Sequence, residues 1–298
     1  MSSDSPVRFA LVALIPLTLV GCTAANAAHH ADVNGLHMYY EDRGDGPPLL
    51  LLHGGGSTAQ TSFGALMPAL SRDHRLIAPE QQAHGHTADI DRPLSFAQMA
   101  DDTAALLDQL GVAQTDVMAF SNGGVVALEL AIRHPSKVRR LILCSSFYSH
   151  AGFPPGFWEG FEHATPDVMP APLKKAMLEA QPDPASFPRD FARQVELMRS
   201  FTDLPESALR AIQAPTLVMV GDRDVMSVEH DDQLAHLLPH AELAVFPGSQ
   251  HGTYIGTAEA AHPGSVLPKV SLMLIEAFLN EKERRHVSFQ PPRTSPST

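Results

Sequence analysis

The sequence predicts an α/β domain: a mostly parallel central sheet flanked by helices, with a small helical cap inserted after the sixth strand. Three observations carry this. Short apolar runs of strand length alternate with helical patterns along most of the chain. The alternation stops once, between Ser145 and about Leu204. The chain has 298 residues and no internal repeat, which suits one large domain with a substantial core.

The elements follow in order. Leu36–Glu41 and Leu49–His53 are early strands, separated by the turn Gly44-Asp45-Gly46-Pro47-Pro48. A helix is expected near Ser62–Ser71, then a strand over Arg75–Ala78. Ser95–Leu110 is amphipathic, with Met99, Thr103, Leu106, Leu107 and Leu110 on one side and Asp101, Asp102 and Asp108 largely on the other. Thr115–Phe120 is β-branched or apolar and predicts a buried strand. Val125, Val126, Leu128 and Leu130-Ala131 give the next helix its apolar face, which ends near His134-Pro135. Arg139–Cys144 is a further strand, with Cys144 expected as a buried core thiol.

In the interruption, Phe147, Tyr148, Phe153, Phe157, Trp158 and Phe161 precede helical patterns at Leu173–Ala180 and Phe187–Phe201. These aromatics, with Met169, Met177 and Met198, are expected both to form the cap's own core and to line an apolar pocket. Beyond the cap, Pro215–Val220 and Leu243–Phe246 are strands. Val225-Met226-Ser227 opens a helix between them, whose Asp231 and Asp232 are expected on a solvated face. Val266–Leu279 is a closing helix. The expected organisation is a core of residues 34–145 and 205–281, a cap over 146–204, and a disordered Pro- and Ser-rich tail over 282–298.

The chemistry sits at the seams between these elements. Ala119-Phe120-Ser121-Asn122-Gly123 joins a strand to a helix, with small residues two positions either side of the serine. That is the pattern of a nucleophile elbow, in which a strained turn exposes Oγ and sets the Asn122 amide at a helix N-terminus. The strand at Pro215–Val220 ends in Gly221-Asp222-Arg223-Asp224, a loop placed for a triad acid. Of its two carboxylates, one is expected to cap the following helix, and Asp222 suits that role. Leu243–Phe246 leads to Pro247-Gly248-Ser249-Gln250-His251-Gly252, which offers His251 as general base. His53-Gly54-Gly55-Gly56 follows the run Leu49–Leu52; its glycines let the backbone turn an amide inward, so Gly55 and Asn122 are the expected oxyanion donors. Gly54, Gly56, Phe147, Phe157 and Trp158 are the expected substrate-binding residues.

In their order and context, these four motifs resemble those of α/β-hydrolase-fold serine hydrolases, over roughly residues 33 to 281. The resemblance implies an esterase-like enzyme that cleaves carboxylic esters of small to medium apolar molecules through Ser121, His251 and Asp224, without metal or organic cofactor. It selects Asp224 because the family acid is the second Asp of Gly-Asp-x-Asp. The segment Ile77–Thr87 takes the place of the family's Asp-x-Arg-Gly-x-Gly-x-Ser loop but departs from it at several positions, Gln82 and Ala83 among them, so the usual Asp and Arg roles do not transfer. A serine nucleophile counts against haloalkane dehalogenase and epoxide hydrolase chemistry. Lactonase activity needs the same machinery, and His-Gly-Gly-Gly with Ser-x-Gly-Gly also resembles carbon–carbon bond hydrolases of aromatic degradation. A peptidase would grip a substrate amine with acids such as Glu159 and Glu162, for which a solvated face is the plainer reading. A non-catalytic binding protein of the same fold is the alternative from another class.

Two further patterns give way to simpler readings. His84 and His86 lack a third metal ligand at a recognisable spacing, and Gly54–Gly56 lacks the Lys-Ser/Thr of a phosphate loop. Lys and Arg number 21 against 33 Asp and Glu, a net charge of −12, which argues against nucleic acid or an anionic membrane surface as partner.

At the N-terminus, Phe9–Val20 is apolar apart from Pro16 and Thr18, with Arg8 before it; this suits the h-region of a signal peptide over residues 1–21. Leu19-Val20-Gly21-Cys22 resembles a bacterial lipobox, which implies lipidation of Cys22, a tether over 22–33, and a periplasm-facing lipoprotein that meets the membrane only through that anchor. Cleavage after Ala25-Asn26-Ala27, giving a secreted or periplasmic protein, and an uncleaved anchor are the alternatives.

Overall fold

The computed structural model describes residues 27–281. Its strands are β1 (Ala27–Val33), β2 (Leu36–Arg43), β3 (Pro48–Leu52), β4 (Arg75–Pro79), β5 (Thr115–Phe120), β6 (Val138–Cys144), β7 (Thr216–Gly221) and β8 (Ala241–Phe246). They form one eight-stranded sheet in the order β1-β2-β4-β3-β5-β6-β7-β8. β1 and β2 pair antiparallel, as do β2 and β4, and every pairing from β4 to β8 is parallel. The helices are α1 (Ala59–Phe63), α2 (Met67–Leu70), α3 (Phe96–Gln109), α4 (Asn122–Arg133), α5 (Ala171–Ala180), α6 (Phe187–Arg199), α7 (Glu206–Ala211), α8 (Val228–Leu237) and α9 (Leu267–Leu279).

Successive side chains of a strand point to opposite faces, so the apolar runs of β3 and β5 feed two cores. Leu50, Leu52, Val117 and Ala119 pack with α3 and α4 on one face. Leu49, Leu51, Met118 and Phe120 pack with α1, α2 and α9 on the other. Between β6 and β7 the chain leaves the sheet, forms short turns, and then builds α5 and α6.

Four expectations need correction. The tether ends earlier than expected: from Ala27 the chain is strand β1, joined to β2 by the two-residue turn Asn34-Gly35, whose φ values are 50° and 83°. The helix expected near Ser62–Ser71 is two short helices, because Gly64 ends α1 and Pro68, which has no N–H to donate, fits only in the first turn of α2. Asp102 is buried and accepts from Arg92 at 2.5 Å as well as from Asn34 and Gln98. Asp231 is fully buried, whereas Asp232 is exposed. The expected signal segment with Cys22 and the expected tail over 282–298 lie outside the described residues.

The sheet positions the site through one close approach. A Cβ added at Gly123 would stand 2.2 Å from the carbonyl oxygen of Leu52 and 2.6 Å from that of His53. Neither backbone group can move without disturbing β3. Gly35 also lies at positive φ but has open space around it. Gly123→Ala is therefore expected to cost about 3 kcal/mol of stability, at the upper end for overpacking, and Gly35→Ala about 1 kcal/mol from backbone strain alone. Urea unfolding of the two variants beside the parent checks this order.

Candidate active site

Ser121 occupies the turn between β5 and α4 with φ 54° and ψ −122°, a left-handed strain for a non-glycine residue. Its amide donates to the carbonyl of Cys144 at 2.9 Å, and its carbonyl accepts from the Gly124 amide at 2.8 Å, so neighbouring backbone holds the turn. Gly124 is as constrained as Gly123, since a Cβ there would overlap the Ser146 hydroxyl at 1.7 Å.

His251 Nε2 lies 3.1 Å from Ser121 Oγ, and His251 Nδ1 lies 2.8 Å from Asp224 Oδ1. A carboxylate can only accept, so Nδ1 carries the proton and Nε2 is left to accept from the serine hydroxyl. Asp224 is the acid the structure brings to His251. Asp222 is exposed and accepts from the Ser249 amide at 3.2 Å, bracing the loop that carries His251. It does not cap the next helix; Ser227 does, accepting from the His230 amide at 3.2 Å.

The Asp224 side chain is fully buried. Burial alone would push its pKa up, but hydrogen bonds from His251, Ser145 Oγ (2.6 Å to Oδ2) and the Val225 amide (2.7 Å) outweigh it and hold the carboxyl below its ordinary value. Ser145 Oγ in turn lies 2.9 Å from the Tyr254 hydroxyl, which donates to the Met219 carbonyl at 2.8 Å. Sequence reasoning missed Ser145 and Tyr254. A second carboxyl, Asp231, has no hydrogen-bond partner among the described residues; burial and the nearby Asp224 charge push its pKa well up.

The glycine loop divides its duties. His53 Nδ1 donates to the Gly54 carbonyl at 2.8 Å, while His53 Nε2 accepts from the Gln81 amide at 3.0 Å. Gly54 donates to Ser62 Oγ at 3.2 Å, so it is occupied in holding the loop. Gly55 and Gly56 line the same cavity as Ser121 and Asn122. Asn122 heads α4, where helix geometry leaves its amide without an intrahelical partner. The cavity, about 260 Å³, is completed from the cap side chiefly by apolar side chains, among them Phe157, Phe161, Met169, Phe191 and Met198. Phe147 and Trp158 stand elsewhere, in an aromatic cluster with Phe153 and Phe201. Glu159 and Glu162 are exposed.

The Ile77–Thr87 segment is a brace. Glu80 is fully buried and accepts from the His86 amide at 2.6 Å and from His86 Nδ1 at 2.9 Å. Gln82 donates to Asp89 and accepts from Arg92, which reaches on to Asp102. Ala83 takes a left-handed φ of 61°. His84 faces His53 rather than His86, at 5.0 Å between ring centres.

This geometry can hold a serine hydroxyl against an imidazole base, orient that base with a buried carboxylate, and present backbone donors beside an apolar cavity.

Burial pushes three nearby imidazoles down: His53 to about 3, helped by His84, and His84 and His230 each to about 4. Protonating His53 Nε2 would also set two donors, its own and the Gln81 N–H, against each other. Each ring stays neutral when folded but binds a proton once unfolded below about 6.5, so stability is lost as pH falls through that window. Relative to a His53→Gln variant, the parent is expected to lose about 1.4 kcal/mol per pH unit from pH ~6.5 toward pH ~3. Urea unfolding of both proteins at several pH values checks it; a difference independent of pH contradicts it.

The comparisons with known proteins bear on the fold. The alpha/beta hydrolase fold family matches the chain over residues 47–195. A 2-hydroxymuconate semialdehyde hydrolase of Pseudomonas putida is 31% identical over 278 residues, covering 85% of this chain and 94% of that protein. Its counterpart from Pseudomonas sp. strain CF600 is 30% identical over 250 residues, 74% of this chain and 86% of that one. Among solved structures, a meta-cleavage product hydrolase from Pseudomonas fluorescens IP01 superimposes with a TM-score of 0.70 at 21% identity, covering 85% of this chain and 97% of that one.

Proposed function

The chain belongs to the alpha/beta hydrolase fold family, and from that premise we propose that it is a serine hydrolase of neutral, mainly apolar carboxylic esters. The observation that carries the reading is the continuous contact from Asp224 through His251 to Ser121 Oγ, opening on an apolar cavity. In this reading Ser121 attacks the carbonyl and His251 takes its proton, then returns it to the leaving alcohol. Asp224 orients the ring and stabilises the imidazolium, and the Gly55 and Asn122 amides hold the oxyanion. Water, activated by His251, then releases the acid from Ser121.

A second reading, hydrolysis of a carbon–carbon bond beside a ketone, is favoured by the semialdehyde hydrolases at 30% and 31% identity. Their substrate name is that of a carboxylate. Among the described residues that line the cavity none is Lys or Arg, so such an anion finds no counter-charge there. That absence supports ester over anionic enol-keto substrates, and it leaves neutral lactones within the same reading.

We extend the proposal to location: export by residues 1–21 with a lipid anchor on Cys22. The mass of the mature N-terminus tests it, since diacylglycerol on Cys22, a cut after Ala27, and an intact N-terminus differ.

Hydrolysis of p-nitrophenyl esters of graded acyl length is expected, with Ser121→Ala losing at least about a thousandfold in kcat and Asp224→Asn losing far more than Asp222→Asn. A fluorophosphonate is expected to label the parent at Ser121. Undiminished turnover in Ser121→Ala refutes the mechanism. Turnover of enol-keto acids but not of esters would favour the second reading.

A further inference from the structure

The cap contributes one polar side chain to the cavity among the described residues, Gln194 of α6. It lies on the apolar stripe of that helix, in register with Phe187, Phe191 and Met198, and is itself buried. A glutamine there carries a desolvation cost unless both ends of its amide are used. One end is used: Gln194 Nε2 donates to the Ala83 carbonyl at 2.6 Å. A carbonyl can only accept, so this contact fixes which end of the amide is which. Oε1 therefore faces the other way, toward Gly56, where an added Cβ would come within 3.7 Å of it. No described residue donates to Oε1.

We propose that Gln194 is a specificity-determining acceptor, and that preferred substrates carry a hydroxyl or amide N–H on the arm lying against Gly56. The inference rests on the hydrolase reading and narrows its substrates from apolar esters to esters with one internal hydrogen-bond donor. The anchoring is what makes the acceptor selective. A free glutamine would rotate to offer its NH₂ to a substrate oxygen; this one cannot without abandoning Ala83. A substrate with methyl in place of hydroxyl leaves Oε1 facing carbon, which a site built around a polar group penalises.

The test is a series of p-nitrophenyl esters of ω-hydroxy acids, each paired with the ester whose terminal hydroxyl is replaced by methyl. A second series places the hydroxyl on the alcohol arm, as hexanoate monoesters of diols against simple alkyl hexanoates. At one chain length the hydroxylated member is expected to have about tenfold higher kcat/KM, the size of one good hydrogen bond. In Gln194→Leu, or in Gln194→Met should the leucine variant not fold, that ratio is expected to fall to about one. If the parent cleaves the methyl-ended esters in a Ser121-dependent manner without preference at any length, or if the preference survives in the variants, the Gln194 inference is overturned and the hydrolase reading stands. If the parent cleaves no member of either series, the Gln194 inference and the acyclic-ester reading it rests on are both overturned.

Discussion

At the end of β5 the chain turns into α4 so tightly that position 123 touches the backbone of β3, with carbonyl oxygens 2.2 and 2.6 Å from where a Cβ would be. That contact sets the height of Ser121 above the sheet and forces its left-handed backbone. The same contact places the first amide of α4 beside the glycine loop, because that loop is the continuation of β3. A Cβ at Gly55 would meet the Asn122 side chain at 2.5 Å, so the two halves of the expected oxyanion site are pressed together by packing. Strain of about 1–3 kcal/mol at one residue persists because several backbone hydrogen bonds over-determine the turn. The remaining members of the site come to this fixed point from β7 and β8, parallel neighbours that end on the same edge of the sheet.

Electrostatics impose a second constraint. Asp224 and Asp231 both have buried side chains, and hydrogen-bond donors favour the charged form of only the first. Asp224 receives hydrogen bonds from His251, Ser145 and the Val225 amide, and its pKa is held down. Asp231 receives none from the described residues, and burial with the neighbouring charge drives it up. The two carboxyls thus have opposed environments: the donors favour the charged form of Asp224, and burial disfavours that of Asp231. His251 contributes most to holding Asp224 down; Ser145, itself at a left-handed φ of 49°, adds a further donor, and Tyr254 packs behind it.

The parts of this arrangement that were legible in the sequence are those imposed by local backbone requirements. Gly123 follows Ser121 because nothing larger fits there, Ala119 before it is fully buried, and three consecutive glycines mark a loop pressed against the side chains of Phe120, Asn122 and Met169. Asp224 and His251 were placed by the strands before them, although separating Asp224 from Asp222 took a family resemblance rather than a physical signal. What escaped depended on tertiary contacts. Strand β1 is rich in Ala and His, poor strand formers, and is held by its pairing with β2; the Asn34-Gly35 turn was the available sign of it. Asp102 and Asp231 looked like polar-face residues until Arg92 and the packing of α8 were placed around them. Gln194 did leave a trace, a lone amide on a stripe of Phe187, Phe191 and Met198, and such a breach of the pattern marks a polar group with work to do.

The division between what was legible and what was not is also a division of labour in the molecule. The groups that would form and break bonds stand on turns braced by backbone carbonyls and buried hydrogen bonds, which tolerate little change. The groups that would choose a substrate come from the cap, and many are soft: methionines and phenylalanines that can repack around a different shape. Chains sharing the braced part can therefore share a fold and a reaction type while their cavities diverge. Semialdehyde hydrolases at 30% and 31% identity are informative about the family for this reason, and much less so about the ligand. Within so adaptable a wall, a polar side chain anchored at one end, as Gln194 is to Ala83, is the element least able to adjust. Its orientation constrains the ligand more than the apolar residues around it do.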